Sequence, residues 1–363
     1  MDVVLITPSP QQTYSGMLPG WLSGNYSLSD CQIDLGPLAQ LAGVKVVIDQ
    51  VVGMDANRRC VLLSDMTRLD YDLLSLDVGS ETDISWLTAL GDRLLPVKPI
   101  DEFTKRWPSI IEQVAKKKSY HLAVVGAGAA GVEIAFAAQH VFSEGAYKAG
   151  VSLVSSENGI LPGHSPGVVK RVRKLLSKRG IQLHEAYAVG VEHGLLLGNG
   201  QLLPADIVIA ATGSSSPCWL ETSQLALNEQ GYISVDATHR SISHPDVFAA
   251  GDVCARTDFI MPRSGVHAVF AGPVLAHNLI ASIRSEKFIR YRPRKRSLYI
   301  LATGPKHAIA SWGAFSAQGY WVWRWKNWID RRFIKKNSVL LDAQKESQND
   351  RLIQNRDVSG YSD

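Results

Sequence analysis

Three observations predict an α/β fold class. The segment Leu122–Glu133, LAVVGAGAAGVE, runs from an apolar strand through a glycine-rich turn into the start of a helix. A second apolar strand, 151–154, follows that helix, and Asp206–Ala211 supplies another before Thr212-Gly213. Strand, turn, helix and strand in that order make a βαβ unit, whose parallel strands need helices to cover them.

The turn carries the first chemical expectation. Gly126, Gly128 and Gly131 fit G-x-G-x-x-G. The first glycine permits a tight turn, the second lets the backbone approach a pyrophosphate, and the third lets the helix pack close to the strand. Phosphate charge then rests on unpaired amides at the helix N-terminus. The segment therefore predicts an NAD(P)H site. Glu157, beyond the second strand, is placed to accept from a ribose hydroxyl, and no arginine stands beside it to pair with a 2′-phosphate. That favours NADH.

Ahead of the unit, the run at 3–7 reads as a short buried strand stopped by Pro8 and Pro10. Further strands are expected at Val44–Ile48, Cys60–Leu63 and Leu73–Asp77, the last ending in Val78-Gly79-Ser80. From Ile100 to Lys118, the residues Phe103, Trp107, Ile110, Ile111 and Val114 recur at helical spacing, which predicts an amphipathic helix. Beyond a linker at Ser214–Pro217 come Val247–Asp252, VFAAGD, and a helix from Gly265 to Arg284.

With 363 residues, 45% of them apolar, and no uninterrupted apolar run of membrane-spanning length, two or three domains with large cores are expected. The start, MDVVLITPSP, lacks the basic and apolar regions of a secretory signal, so a cytoplasmic location is expected. Cys31, Cys60, Cys218 and Cys254 form no C-x-x-C pair, which argues against a redox dithiol or a zinc knuckle. No metal-ligand spacing or Ser/His/Asp constellation stands out, and His121, His164 and His267 are expected to be structural. The net charge of +4 hides an asymmetry: Arg284–Lys336 holds fourteen Lys/Arg against Glu286 and Asp330, a balance of +12 there and −8 elsewhere. One end is built to meet something anionic.

Four further segments carry a resemblance: Tyr14-Ser15-Gly16-Met17-Leu18-Pro19-Gly20, Pro262-Arg263-Ser264-Gly265-Val266, Gly272-Pro273-Val274-Leu275-Ala276 and Trp321-Val322-Trp323-Arg324-Trp325-Lys326. With the glycine turn they make the chain resemble the pyridine nucleotide-disulfide oxidoreductases, flavoproteins whose NAD(P)H domain is inserted into a discontinuous FAD domain. Within them it is most similar to the type II NADH dehydrogenase-like family found fused to or beside selenide, water dikinase. The resemblance implies two Rossmann-like dinucleotide-binding domains: FAD at 1–100 and 221–285, NAD(P)H at 101–220. A basic aromatic region at 286–340 and a polar, disordered tail at 341–363 complete it.

The resemblance also implies roles. Gly79 and Gly213 lie at the two crossovers between domains, Gly213 on the NAD(P)H side. Gly251 and Asp252 meet FAD, the aspartate accepting from the ribityl chain or lying beside the pyrophosphate. Gly265 and Val266 open a helix whose amides face the flavin's pyrimidine edge. Glu133 lies near the nicotinamide. Read from the residues alone, Asp252 caps a turn and Glu133 favours a helix N-terminus.

The departure is at the start. Members of the superfamily begin with a strand and a second G-x-G-x-x-G turn that hold the FAD pyrophosphate, whereas Met1 falls where their second strand begins, about thirty residues on. A misplaced start or a fragment is expected, with a degenerate flavoprotein as the alternative. In the tail, YWVWRWKNWIDRRFIKK (320–336) sets Val322, Trp325, Ile329 and Phe333 on one stripe, with Trp321 and Trp328 alongside and Arg324, Lys326, Arg331, Lys335 and Lys336 around it. Such a helix suits an anionic membrane surface, peripheral on the inner face of the cell membrane, or the protein's own core. Nucleic acid, met through Arg290–Arg296, ranks below both.

The leading functional expectation is FAD-dependent oxidation of NAD(P)H, with electrons passed to a quinone or other small acceptor. The alternatives are a redox accessory of selenium metabolism, acting on a selenium species with selenide, water dikinase, and a non-enzymatic NAD(P)H-binding remnant without FAD.

Overall fold

The computed structural model describes residues 2–357 other than Pro262, Ser264 and 294–296, with side chains described to residue 338. Strand β1 (Val4–Thr7) pairs in parallel with β2 (Lys45–Ile48), an antiparallel meander occupies 51–70, and β3 (Leu74–Leu76) follows. The chain then builds its largest sheet from β4 (Leu94–Pro96), helix α1 (Ile100–Lys116), β5 (Tyr120–Val125), α2 (Ala129–Glu144), β6 (Ala149–Ser155), α3 (Pro166–Lys178), β7 (Gln182–Glu185) and β8 (Ile207–Ala210). Its order is β4-β8-β5-β6-β7, every pair parallel. This matches the α/β expectation, and β5, the strand that feeds the glycine turn, lies at its centre.

Local sequence explains these elements. Helix α1 starts after Pro99, carries Asp101 and Glu102 in its first turn, and buries Phe103, Trp107, Ile110 and Val114 on one face. Each such side chain contributes roughly 1.5–3 kcal/mol on burial. Helix α3 has Ser165 at its N-cap and Pro166 at its first position, and buries Val168, Val172 and Leu176. Those residues share one core with Leu122, Val124, Phe136 and Phe142.

Strand β9 (Val247–Ala249) returns to pair in parallel with β3. The pairs β1/β2 and β3/β9 are separate two-stranded sheets. Helix α4 (Gly265–Arg284) is long and apolar enough to span a membrane by length and composition. Its Asn278 is fully buried, donating to Thr238 O and Ile289 O and accepting from Ile289 N–H, so one face is fixed against the protein.

An antiparallel sheet of β10 (Tyr299–Ala302), β11 (Ala308–Trp312) and β12 (Phe315–Gly319) precedes α5 (Tyr320–Asp357). Alternation along these strands sends Leu301 and Ile309 into the core of the large sheet's domain and Ala308 and Ala310 towards Val322 of α5. Residues 341–357, expected to be disordered, continue α5 as helix; 358–363 lie outside the described residues. Of the two faces open to the tail's apolar stripe, the inward one is not formed by the whole stripe. Val322 is buried, whereas Trp325 is 40% exposed, because α5 turns Lys326 and Asp330 inward instead.

Candidate functional site

The two crossovers predicted from sequence meet. Ser214 and Ser215 pair antiparallel with Thr82 and Glu81, Asp83 N–H donates to Gly213 O at 3.0 Å, and Thr212 Oγ1 donates to Asp83 O at 2.5 Å. The ends of β5 and β8 thus lie beside the segment that leaves β3.

At the end of β5, Gly126 has φ +104°, and a Cβ there would lie 2.2 Å from Ala211 O. A Cβ on Gly131 would lie 1.8 Å from Gly126 O. The chain's own packing therefore forbids a side chain at both. Gly128 is different: its φ of −70° suits any residue, and nothing lies within 4 Å of a Cβ built on it. No side chain caps the helix it opens, so the first amides of α2 are left for an external acceptor. Space kept clear in front of unpaired amides fits a dinucleotide pyrophosphate. Gly213 also faces open space, and Glu157 stands exposed just past the end of β6.

Across the crossovers, β3 and β9 end side by side, which brings Gly79 and Gly251 together, each at φ +76°. Nothing lies within 4 Å of a Cβ on Gly79, while one on Gly251 would touch Ala268 Cβ at 3.5 Å, so the first turn of α4, with Gly265 and Val266, packs over Gly251. Asp252 Oδ2 accepts from Lys98 Nζ at 2.9 Å and from Ser80 Oγ at 3.4 Å, and Lys98 Nζ also donates to Ser80 Oγ at 2.9 Å. Sequence reasoning missed Lys98. Its signal is a lone lysine before Pro99, meaningful only once β4 carries it from the large sheet to the Gly251 turn. Arg263 lies over the Tyr232 ring, 3.4 Å from its centroid, just before α4; its neighbours Pro262 and Ser264 are outside the described residues.

This cluster suits the ring end of a flavin, with a glycine lacking wall atoms, a lysine-aspartate pair and a helix N-terminus converging. The described residues contain no second strand, glycine turn and helix to seat the flavin's pyrophosphate.

Glu133 lies just beyond the first turn of α2, where its Oε1 accepts from Ala302 N–H of β10 at 2.7 Å. Burial pushes its carboxyl up to about 7, against the opposing pull of Lys326. Lys326 Nζ donates to Asp330 Oδ2 and to Gly16 O, both at 2.7 Å, and Tyr14 stacks on Phe333 with ring centroids 4.4 Å apart. Burial also raises the Asp330 carboxyl above the usual range. The Tyr14–Gly20 segment, expected as a loop, is helical over Ser15–Met17 and from Leu18 onward and is the socket of α5; Glu133 belongs to that contact as well as to the glycine-turn helix. His164 Nδ1 lies 2.9 Å from Ser311 Oγ and His267 Nδ1 3.3 Å from Tyr291 OH, bonds that fix neighbouring elements to one another. His121 Nε2 lies 3.0 Å from Ser152 Oγ, between adjacent strands.

Residues 39–278 match the family model of the pyridine nucleotide-disulphide oxidoreductases. An NADH oxidase of Lactococcus lactis is 31% identical over 222 residues, covering 58% of this chain and 48% of that protein. The alternative NAD(P)H-ubiquinone oxidoreductase C1 of Arabidopsis thaliana is 25% identical over 340 residues, covering 80% and 63%. The chain spans about half to two thirds of the length of these relatives. Among solved structures, NDH2 of Plasmodium falciparum in complex with NADH superposes with a TM-score of 0.76 at 17% identity, covering 92% of this chain and 93% of that one. The sulfide:quinone oxidoreductase of Aquifex aeolicus gives 0.77 at 15%, covering 93% and 86%. The chain belongs to the pyridine nucleotide-disulphide oxidoreductase family.

Proposed function

We propose that this chain oxidises NAD(P)H with the help of FAD and passes the electrons to a quinone or another small acceptor. The observation that carries the reading is Gly128, the one glycine of the turn that the protein's own packing does not require. The amides at the start of α2 hold the pyrophosphate, and Glu157 takes a ribose hydroxyl, which favours NADH. FAD, when bound, supplies the hydride acceptor and the electron relay. Around its ring end, Lys98 and Asp252 fix the crossover to the Gly251 turn, and the α4 N-terminus offers amides to negative charge.

The test is spectroscopic. Purified protein should show a flavin band at about 450 nm that NADH bleaches without oxygen and a soluble quinone restores. Restoration by a selenium species instead of the quinone favours the selenium-accessory alternative. A colourless protein that FAD does not reconstitute refutes the flavin reading.

We further infer that the outer face of α5 meets an anionic bilayer on its cytoplasmic side. Trp321, Trp325 and Trp328 are 57%, 40% and 56% exposed, with Arg324, Arg331, Arg332, Lys335 and Lys336 exposed around them. Tryptophan favours the membrane interface, and the cations meet lipid phosphates. Sedimentation with anionic vesicles should carry the protein down at low salt and less at high salt; a protein left in the supernatant at low salt refutes this reading.

A further inference from the structure

The fold places an arginine near the ribose end of the proposed dinucleotide site, where the linear sequence shows none. After Glu157 the loop turns through Gly159 (φ +73°), Leu161 (φ +52°) and Gly163 (φ +87°). Leu161 N–H donates to Ala127 O at 2.8 Å, which ties the loop to the glycine turn. Between the loop and the first turns of α3 is a cavity of about 520 Å³, lined among others by Asn158, Pro162, Lys170 and Arg173.

Arg173 reaches this cavity, but its fork is already engaged. Its Nη1 and Nη2 donate to the two carboxylate oxygens of Glu185, the last residue of β7, at 2.6 and 2.5 Å. A Cβ on Gly159 would lie 3.3 Å from Glu185 Oε1 and 3.8 Å from Arg173 Nη2, so the pair sits under the loop two residues past Glu157.

We propose that Glu185, by holding Arg173 in this two-bond pair, sets the preference of the site for NADH over NADPH; this rests on the NAD(P)H reading above. A 2′-phosphate carries about two negative charges at neutral pH and would face both Glu157 and Glu185, with Arg173 neutralised and Lys170 the other cation lining the cavity. The 2′-hydroxyl of NADH meets no such repulsion and donates to Glu157. A guanidinium matches phosphate geometry in the same forked way that it matches a carboxylate, so a freed Arg173 would turn to the phosphate. Both side chains are part-exposed, 43% and 37%, so separating them leaves the fold standing.

The probes are 5′-AMP and 2′,5′-ADP, which carry the adenosine half alone and are read by calorimetry without FAD or turnover. Wild type should bind 5′-AMP more tightly. Glu185→Gln should strengthen 2′,5′-ADP binding about tenfold, or about 1.4 kcal/mol, with 5′-AMP unchanged. Adding Arg173→Ala should remove that gain. An unchanged ratio in Glu185→Gln, or a gain that survives without Arg173, overturns the proposal while leaving the NAD(P)H reading intact. A wild-type protein that binds neither 5′-AMP nor NADH overturns both.

Discussion

The two sides of the crossover hold their glycines for different reasons. Around β5, Gly126 and Gly131 are imposed by carbonyl oxygens of the protein, and Gly128 faces space that the protein leaves clear. The sheet beneath them is five strands wide and parallel throughout. Around β3 and β9, Gly79 and Gly251 are set by positive φ, and the sheets beneath are pairs. Site geometry therefore rests on one wide sheet on one side, and on the other on strand pairs over a smaller core of Leu76, Val247, Ala249 and Val253, tied to the large sheet by Lys98, Ser80 and Asp252.

That contrast can be broken most severely at Gly131. Gly131→Ala drives a methyl into Gly126 O and should cost more than about 4 kcal/mol, seen as loss of cooperative thermal unfolding. Gly128→Ala sharpens it: stability should move by about 1 kcal/mol or less, while NADH binding by fluorescence titration weakens about 100-fold. Wild-type-like affinity in that variant would remove the ligand explanation for the glycine.

Glu133 tests how the firm side is joined to the tail. An unfolded glutamate loses its proton near 4.5, whereas folded Glu133 keeps it to about 7, so its contribution is fully present below 4.5 and is lost as pH rises through about 7. Asp330, also raised, acts in the same direction. Between pH 5 and 7.5 the wild type should lose about 2 kcal/mol in urea denaturation, and Glu133→Gln should flatten that slope. The smallest effect is expected at Lys98, whose pair with Asp252 is partly exposed: Lys98→Ala should cost about 1 kcal/mol and lower flavin retention on gel filtration.

Much of this was legible where chemistry is local. The strand before Gly126 follows from a continuous apolar run, the Phe103–Val114 stripe from the 3.6-residue period, and the turn from glycine's backbone freedom. What stayed hidden joins distant segments. Lys98 meets Asp252 across 154 residues, and Tyr14 stacks on Phe333 between opposite ends of the chain. Arg173 and Glu185 are close in sequence, but their relation to Glu157 appears only after α3 folds back and β7 settles beside β6. The tail admitted two readings, a stripe facing a membrane surface or one facing the core, because periodicity alone does not show which side of a helix turns inward. Lys326 and Asp330 can instead be buried because they neutralise each other and Tyr14 supplies a further donor. The sheet at 299–319 gave no signal strong enough to be expected at all.

Strand β1 has one further consequence. Among the described residues it pairs only with β2, and Val4 and Leu5 are 45% and 36% exposed. A short strand with apolar side chains and open amides and carbonyls is a template for another strand. Handled alone and concentrated, this chain should therefore associate through that edge, and light scattering that rises with concentration would be the visible sign. Introducing a charge there, as in Val4→Lys, would then improve solubility, at a position remote in sequence from the Gly126 and Gly251 turns.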